Sequence, residues 1–253
     1  AAYRHKDFRI DAFAASVVNI RESEFNKRTD GNNFHGAHGS FTALIPKATV
    51  EPYVFWRLSR GVRSEAGTLA KLDFKTVGVR WVGKLPGNLD YGVEMATQAG
   101  SLGADDVQAW GGHWVTGYTL AKPASKPRLF AEYNFATGDA DPTDQKRQGF
   151  DQLYPTPHDK TGLADQVGWK NIHHLRGGLE LKPTPKLSTS ASYHSWWLAN
   201  TRDGLYGVSG ALVVRLGADG RLDASFGKDG EAWVDLPPWN EGGIVHDIRH
   251  KPE

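Results

Sequence analysis

The sequence predicts an all-β chain, and three observations carry that prediction. Apolar and polar residues alternate with a period of two along one run after another, which gives each strand two chemically different faces. The 253 residues include 29 glycines and 9 tryptophans but 1 methionine, a balance that disfavours helices and is rich in the ring that settles at membrane interfaces. The runs are also separated by connections that alternate between short turns and long loops. Together these features predict an antiparallel transmembrane β-barrel of the outer-membrane type, here a partial barrel of about ten strands of about ten residues each.

The strands follow in order. Residues 4–20 open the series, and 36–46, 49–60 and 73–84 continue it. In "NLDYGVEMATQAG", Leu89, Tyr91, Val93 and Met95 share one face while Asp90, Glu94 and Gln98 share the other. In "VQAWGGHWVTGYTL" the outward set is Trp110, Trp114, Tyr118 and Leu120, with His113 opposite. "RLFAEYNF" sets Leu129, Ala131, Tyr133 and Phe135 against Arg128, Glu132 and Asn134. "HLRGGLELK" sets Leu175, Leu179 and Leu181 against Arg176, Glu180 and Lys182. Residues 185–199 and a weaker run at 208–216 complete the count. "KLPGNLD" and "LKPTPKL" are the short turns, whereas the stretch from Thr137 to Asn171 and the polar "ESEFNKRTDGNNFHGAHG" are the long loops. Aromatic residues near strand ends, namely Trp56, Trp81, Tyr118, Trp196 and Trp197, are expected to form the interfacial girdles.

Composition removes several function classes. With 30 Lys and Arg against 29 Asp and Glu, no global charge points to nucleic acid, so any preference for charged ligands is local. The absence of cysteine excludes disulfides, thiolate metal sites and a cysteine nucleophile. No run approaches the roughly 18 to 20 apolar residues that a membrane helix needs. Alternating strands also build soluble β-sandwiches, and a sandwich-type polysaccharide lyase is the competing reading. Such a lyase would join a Tyr and a His, or two carboxylates, in a cleft. His113, Tyr118, Tyr193 and His194 are the available candidates, yet Tyr193 and His194 face opposite sides of one strand. No Gly-x-Ser-x-Gly, His-Glu-x-x-His or phosphate-binding glycine loop occurs.

One block of about eighty residues resembles a known family. "ATGDADPTD" at a strand end, "FDQLYPTPH", "GLADQVGWKN", "GLELKPTPKL" and "ASYHSWWLANTRDGLYG" follow in an order that resembles the alginate export family of outer-membrane β-barrels. The upstream "RIDAFAASVV", "FHGAHGSFTALIP" and "FKTVGVRWVGKLPGNLDYGVEMATQAG" are similar to the preceding strands of that family, so the resemblance spans roughly residues 3–212. It implies a bacterial outer-membrane barrel of about sixteen to eighteen strands, with no catalysis and no cofactor. The implied partners are an anionic polysaccharide, outer-membrane lipid and periplasmic export components, without nucleic acid. The alternative within the same class is a general or sugar porin. Residues 1–212 are then an incomplete barrel domain, and 213–253 a divergent tail. In that tail "LGADGRLDASFGKDGEAWVDL" is faintly similar to quinoprotein-type propeller blades or else disordered.

A polymer with one carboxylate per sugar crosses a bilayer only through a wet lumen in which cations replace part of its hydration. Arginine suits that task through its planar two-pronged fork. The strand phases place Arg9, Lys75, Arg80, Arg128 and Arg176 on the polar face as the expected pore lining. Asp11, Asp90, Glu94, Glu132 and Glu180 share that face, so cross-strand pairing competes with substrate for each arginine. In the long loop, Asp139, Asp141 and Asp144 offer oxygen ligands of the kind calcium accepts, without EF-hand spacing. His158 and Asp165 lie in matching family motifs there and are expected to fix the loop over the pore mouth.

Overall fold

The structure is a computed structural model that describes residues 1–19, 25–122, 124–154, 161, 167–208 and 212–214. Its strands are β1 (Ala2–Arg4), β2 (Phe8–Asn19), β3 (Lys27–Phe41), β4 (Ala48–Arg63), β5 (Leu69–Leu85), β6 (Leu89–Leu102) and β7 (Asp105–Thr119). They continue with β8 (Arg128–Ala136), β9 (Lys146–Arg147), β10 (Ile172–Thr184), β11 (Leu187–Leu198), β12 (Leu205–Tyr206) and β13 (Leu212–Val214). One antiparallel meander runs β1-β2-β3-β4-β5-β6-β7-β8-β10-β11; β9 pairs alongside β7 in parallel, and β12 with β13 forms a separate ribbon. The sheet ends at β1 and β11 without closing, as part of a larger barrel would.

The turns explain the meander. Between β5 and β6, Gly87 and Asn88 take φ of 79° and 62°, the left-handed conformation that Gly and Asn enter at least cost. The other connections at that end are 5–7, 42–47, 120–127 and 185–186. At the opposite end the links 64–68 and 103–104 are also short, and the one between β8 and β10 is long, carrying only the two-residue β9. Loop length therefore does not alternate as strictly as the sequence suggests. The expected second long loop is mostly strand β3, whose polar side chains belong to a ladder between β2 and β4. Apart from β8, with 9 residues, the strands of the meander from β2 onward are also longer than expected, from 12 residues in β2 to 17 in β5. Nearly all of the expected tail, from residue 215 onward, lies outside the described residues.

Cross-strand register builds continuous rows, because directly paired residues share a face. One row is Glu51, Arg80, Glu94, His113, Asn134, His174 and Trp196 across β4 to β11. The next is Tyr53, Gly78, Ala96, Gly111, Ala136 and Ile172, a trough of mostly small side chains. The segment after β9 fills the trough: Phe150 packs with Ala96, Ala109, Ala136 and Ile172. Burying such a ring stabilises by about 1.5–3 kcal/mol. This face is the inner face. On the outer face Val77, Met95, Trp110, Leu129 and Leu175 lie 42–53 % exposed, with no second sheet over them among the described residues. An apolar surface of that extent needs another apolar medium, which hydrocarbon supplies.

Candidate functional site

The inner face carries the charge. Arg9 grips Asp11 at 2.6 Å on β2, a pair whose side chains are 48 and 32 % exposed. Arg80 on β5 pairs with Glu51 on β4. Arg128 makes a two-pronged contact with Asp90, 2.6 and 2.9 Å, and reaches Glu180 at 3.1 Å. Gly117 makes that reach possible, since a Cβ there would meet the Arg128 guanidinium at 2.3–2.5 Å. Arg176 on β10 contacts Glu132 on β8 at 3.3 Å. All four arginines thus lie on one face, each beside a carboxylate of its own or a neighbouring strand.

Lys75 is placed differently. It shares the outer face with Val77 and Val79, because residues 75 and 80 have opposite parity on one strand. Its ammonium lies 5.6 Å above the Trp56 ring, whose indole N–H donates to Asp73 at 2.8 Å. The side chain runs along the outer surface toward that polar end, the behaviour of a long cation at a membrane interface.

Trp196 and Trp197 also separate. Trp197 stacks on His173 on the outer face, where a girdle ring belongs. Trp196 instead turns inward and stacks on His174 and His194, each 5.2 Å away. It caps a polar network in which His113 meets Asn134 at 2.7 Å, Asn134 donates to Glu132 at 2.8 Å, and His174 meets His194 at 3.0 Å. Trp196 is therefore corrected from girdle to inner face; Trp56, Trp81 and Tyr118 are outward. The same parity separates Tyr118 and Tyr193, which point outward, from His113 and His194, which point inward. The Tyr–His pairing of a lyase is not assembled by these residues.

Between β8 and β10 the chain folds onto the inner face and is clasped there. Gln98, 1 % exposed, donates to the Asp151 carbonyl at 2.6 Å and accepts from the Asp151 N–H at 2.8 Å. The Asp151 carboxylate holds Arg57 at 2.5 Å, and Tyr154 sits edge-on to Phe34 with Arg57 5.4 Å from its ring. Burial pushes the Tyr154 hydroxyl up. Sequence reasoning missed Arg57, Gln98 and Asp151, because nothing local marks a contact across 53 or 94 positions.

The three loop aspartates form turns rather than converge. Asp139 accepts from the N–H groups of Asp141 and Gln148, each at 3.3 Å. Asp141 takes the Thr143 N–H at 3.0 Å and hydroxyl at 2.6 Å, and Asp144 takes the Lys146 N–H at 2.9 Å. Burial raises Asp139, whereas the Thr143 bonds lower Asp141. Among the described residues no group of His, Asp or Glu is arranged to hold a metal ion, so the calcium reading has no geometric basis at these three positions. Nearby, Lys170 lies 3.9 Å above the Tyr206 ring, and desolvation pushes its amine down to about 8. Tyr206 donates to Asp203 at 2.6 Å, and Asn171 bonds the carbonyls of Asn200 and Gly204 at 3.0 and 2.9 Å, which ties this loop to the turn after β11. His158 and Asp165 lie outside the described residues.

A family model described as alginate export matches residues 1–229. No curated protein sequence matches the chain.

Proposed function

From the premise that this chain belongs to the alginate export family, whose members are outer-membrane transport porins and not enzymes, we propose that it forms part of a bacterial outer-membrane conduit for an anionic, alginate-like polysaccharide. The observation that supports this best is the two-faced sheet: apolar side chains that no other described residue layers over on one side, and charged and hydrogen-bonding side chains in register on the other. In the closed barrel the outer face meets lipid and the inner face borders a wet lumen.

Arg9, Arg80, Arg128 and Arg176 line that lumen as partnered cations. A uronate arriving at such a pair exchanges with the resident carboxylate rather than filling an empty site. Attraction at each step is modest, which lets a polymer slide. Pairing also lowers the net positive field, and this specific observation favours the second reading, a sugar porin with weak ion selectivity. Periplasmic export components would engage the short-turn end.

The test is the barrel containing this chain, reconstituted in planar bilayers across a salt gradient. The exporter reading expects a mildly anion-selective reversal potential and transient current block by uronate oligomers. A cation-selective pore indifferent to uronates would reject it.

A further inference from the structure

Resting on the conduit reading, we propose that the cavity beneath residues 150–154 is a subsite that holds one sugar ring of the polymer by stacking on aromatic faces, whether or not that ring carries a carboxylate. The cavity measures about 380 Å³, inside the roughly 300–1,000 Å³ typical of ligand clefts. Phe34, Tyr53, Phe55 and Tyr154 supply its aromatic wall, and Arg80 and Glu94 its polar one.

The rings form a continuous path on the inner face. Tyr53 and Phe55 stack at 5.0 Å and 25°, Phe55 and Phe34 lie 5.6 Å apart, and Phe34 meets Tyr154 at 5.0 Å. Phe13 extends the path to β2, 5.2 Å from Phe34. Aromatic side chains on the water-facing side of a membrane strand are not explained by lipid, and two glycines make room for them. A Cβ at Gly78 would come within 2.4 Å of the Tyr53 ring, and one at Gly36 within 2.5 Å of Phe55 and 2.7 Å of Phe13. The rings therefore lie over the neighbouring backbone instead of standing upright, the arrangement by which an aromatic covers a strand glycine.

Such a surface recognises a pyranose. The C–H bonds on one face of the sugar carry partial positive charge and meet the negative π face of an aromatic ring, while its rim of hydroxyls needs hydrogen-bonding groups at the edge. Those groups are present: Tyr53 donates to Glu94 at 2.8 Å, Arg80 bonds Glu51, and each retains further donor or acceptor capacity for a hydroxyl. Because Arg80 is matched by Glu51 and Glu94 stands beside it, the cavity has no surplus positive charge that would demand an anionic ring.

Single-channel recordings with neutral and uronate hexasaccharides of matched linkage test this. Phe34→Leu with Phe55→Leu keeps bulk but removes two π faces; Tyr193→Leu removes an aromatic from the outer face as a control, and conductance itself reports an assembled barrel. The expected result is block by both oligomers, with residence shortened about tenfold for both in the double variant and unchanged in the control. Uronate block that the double variant leaves intact, without block by the neutral oligomer, would overturn the subsite and leave the conduit standing. Block by the neutral oligomer alone would support the subsite and overturn the anionic cargo. A conducting pore that neither oligomer blocks would overturn both.

Discussion

Each inward arginine reaches its carboxylate in a different setting, so substitutions at equivalent-looking positions should cost different amounts. Glu132 is 6 % exposed beside Arg176, and removing the guanidinium leaves a desolvated carboxylate with the hydrogen bond from the Asn134 amide but without that cation. Arg176→Gln should therefore destabilise the barrel by about 1–3 kcal/mol in urea unfolding from lipid vesicles. Arg9→Gln, at a well-solvated pair, should leave the unfolding midpoint nearly unchanged. Equal costs would mean that burial does not govern these pairs. Lys170 gives a pH prediction with a definite sign. Its amine falls from the ordinary 10.5 to about 8 in the folded loop, so between pH 8 and 10.5 the unfolded loop binds more protons and folding strengthens as pH rises. The gain should show between pH 8 and about 9, below the range in which Tyr206 would begin to ionise in an unfolded loop. A spin label at Ala140→Cys should become less mobile over that interval, and Lys170→Met should abolish the change. Parity, finally, was legible in the sequence at this scale. Lys75 and Arg80 differ by five positions and Trp196 and Trp197 by one, so neither pair can share a face of a regular strand.

At the scale of elements, strands β6, β7, β8 and β10 could be read from the sequence almost to the residue, because oily and polar side chains alternate along them without a break. Strand β3 could not. "KRTDGNNFHGAHGSF" has few apolar residues on either face, and its strand character comes from ladders with β2 and β4. The inward fold of residues 150–154 was equally hidden, since it depends on a trough assembled from Gly78, Ala96, Gly111 and Ala136 on four different strands. Gln98 is the clasp, through two bonds to the Asp151 backbone and one to Thr76 at 3.1 Å. Gln98→Leu should release the segment from the inner face and raise single-channel conductance, with the barrel still assembled. Unchanged conductance would show that the segment does not narrow the path.

For the whole molecule, the open edges matter most. The strand-edge hydrogen-bonding groups of β11 on one side and of β1 and β2 on the other face no further strand within the described sheet. This chain alone should therefore self-associate through its edges when refolded in detergent, and light scattering should detect the association; a stable monomer would contradict it. The fold class and the family were legible because they rest on repetition and on short motifs in order. The subsite and the clasp were not, because they depend on distances across strands. The account stands on hydrocarbon covering one face while water borders the other, and the native absence of cysteine allows that to be measured directly. Single cysteines placed at Leu175, Arg176, Leu179, Glu180 and Leu181 in the membrane-inserted barrel should react with a charged maleimide at Arg176 and Glu180, whose side chains are open on the inner face. They should resist it at Leu175, Leu179 and Leu181. Equal reactivity at both sets would contradict the account.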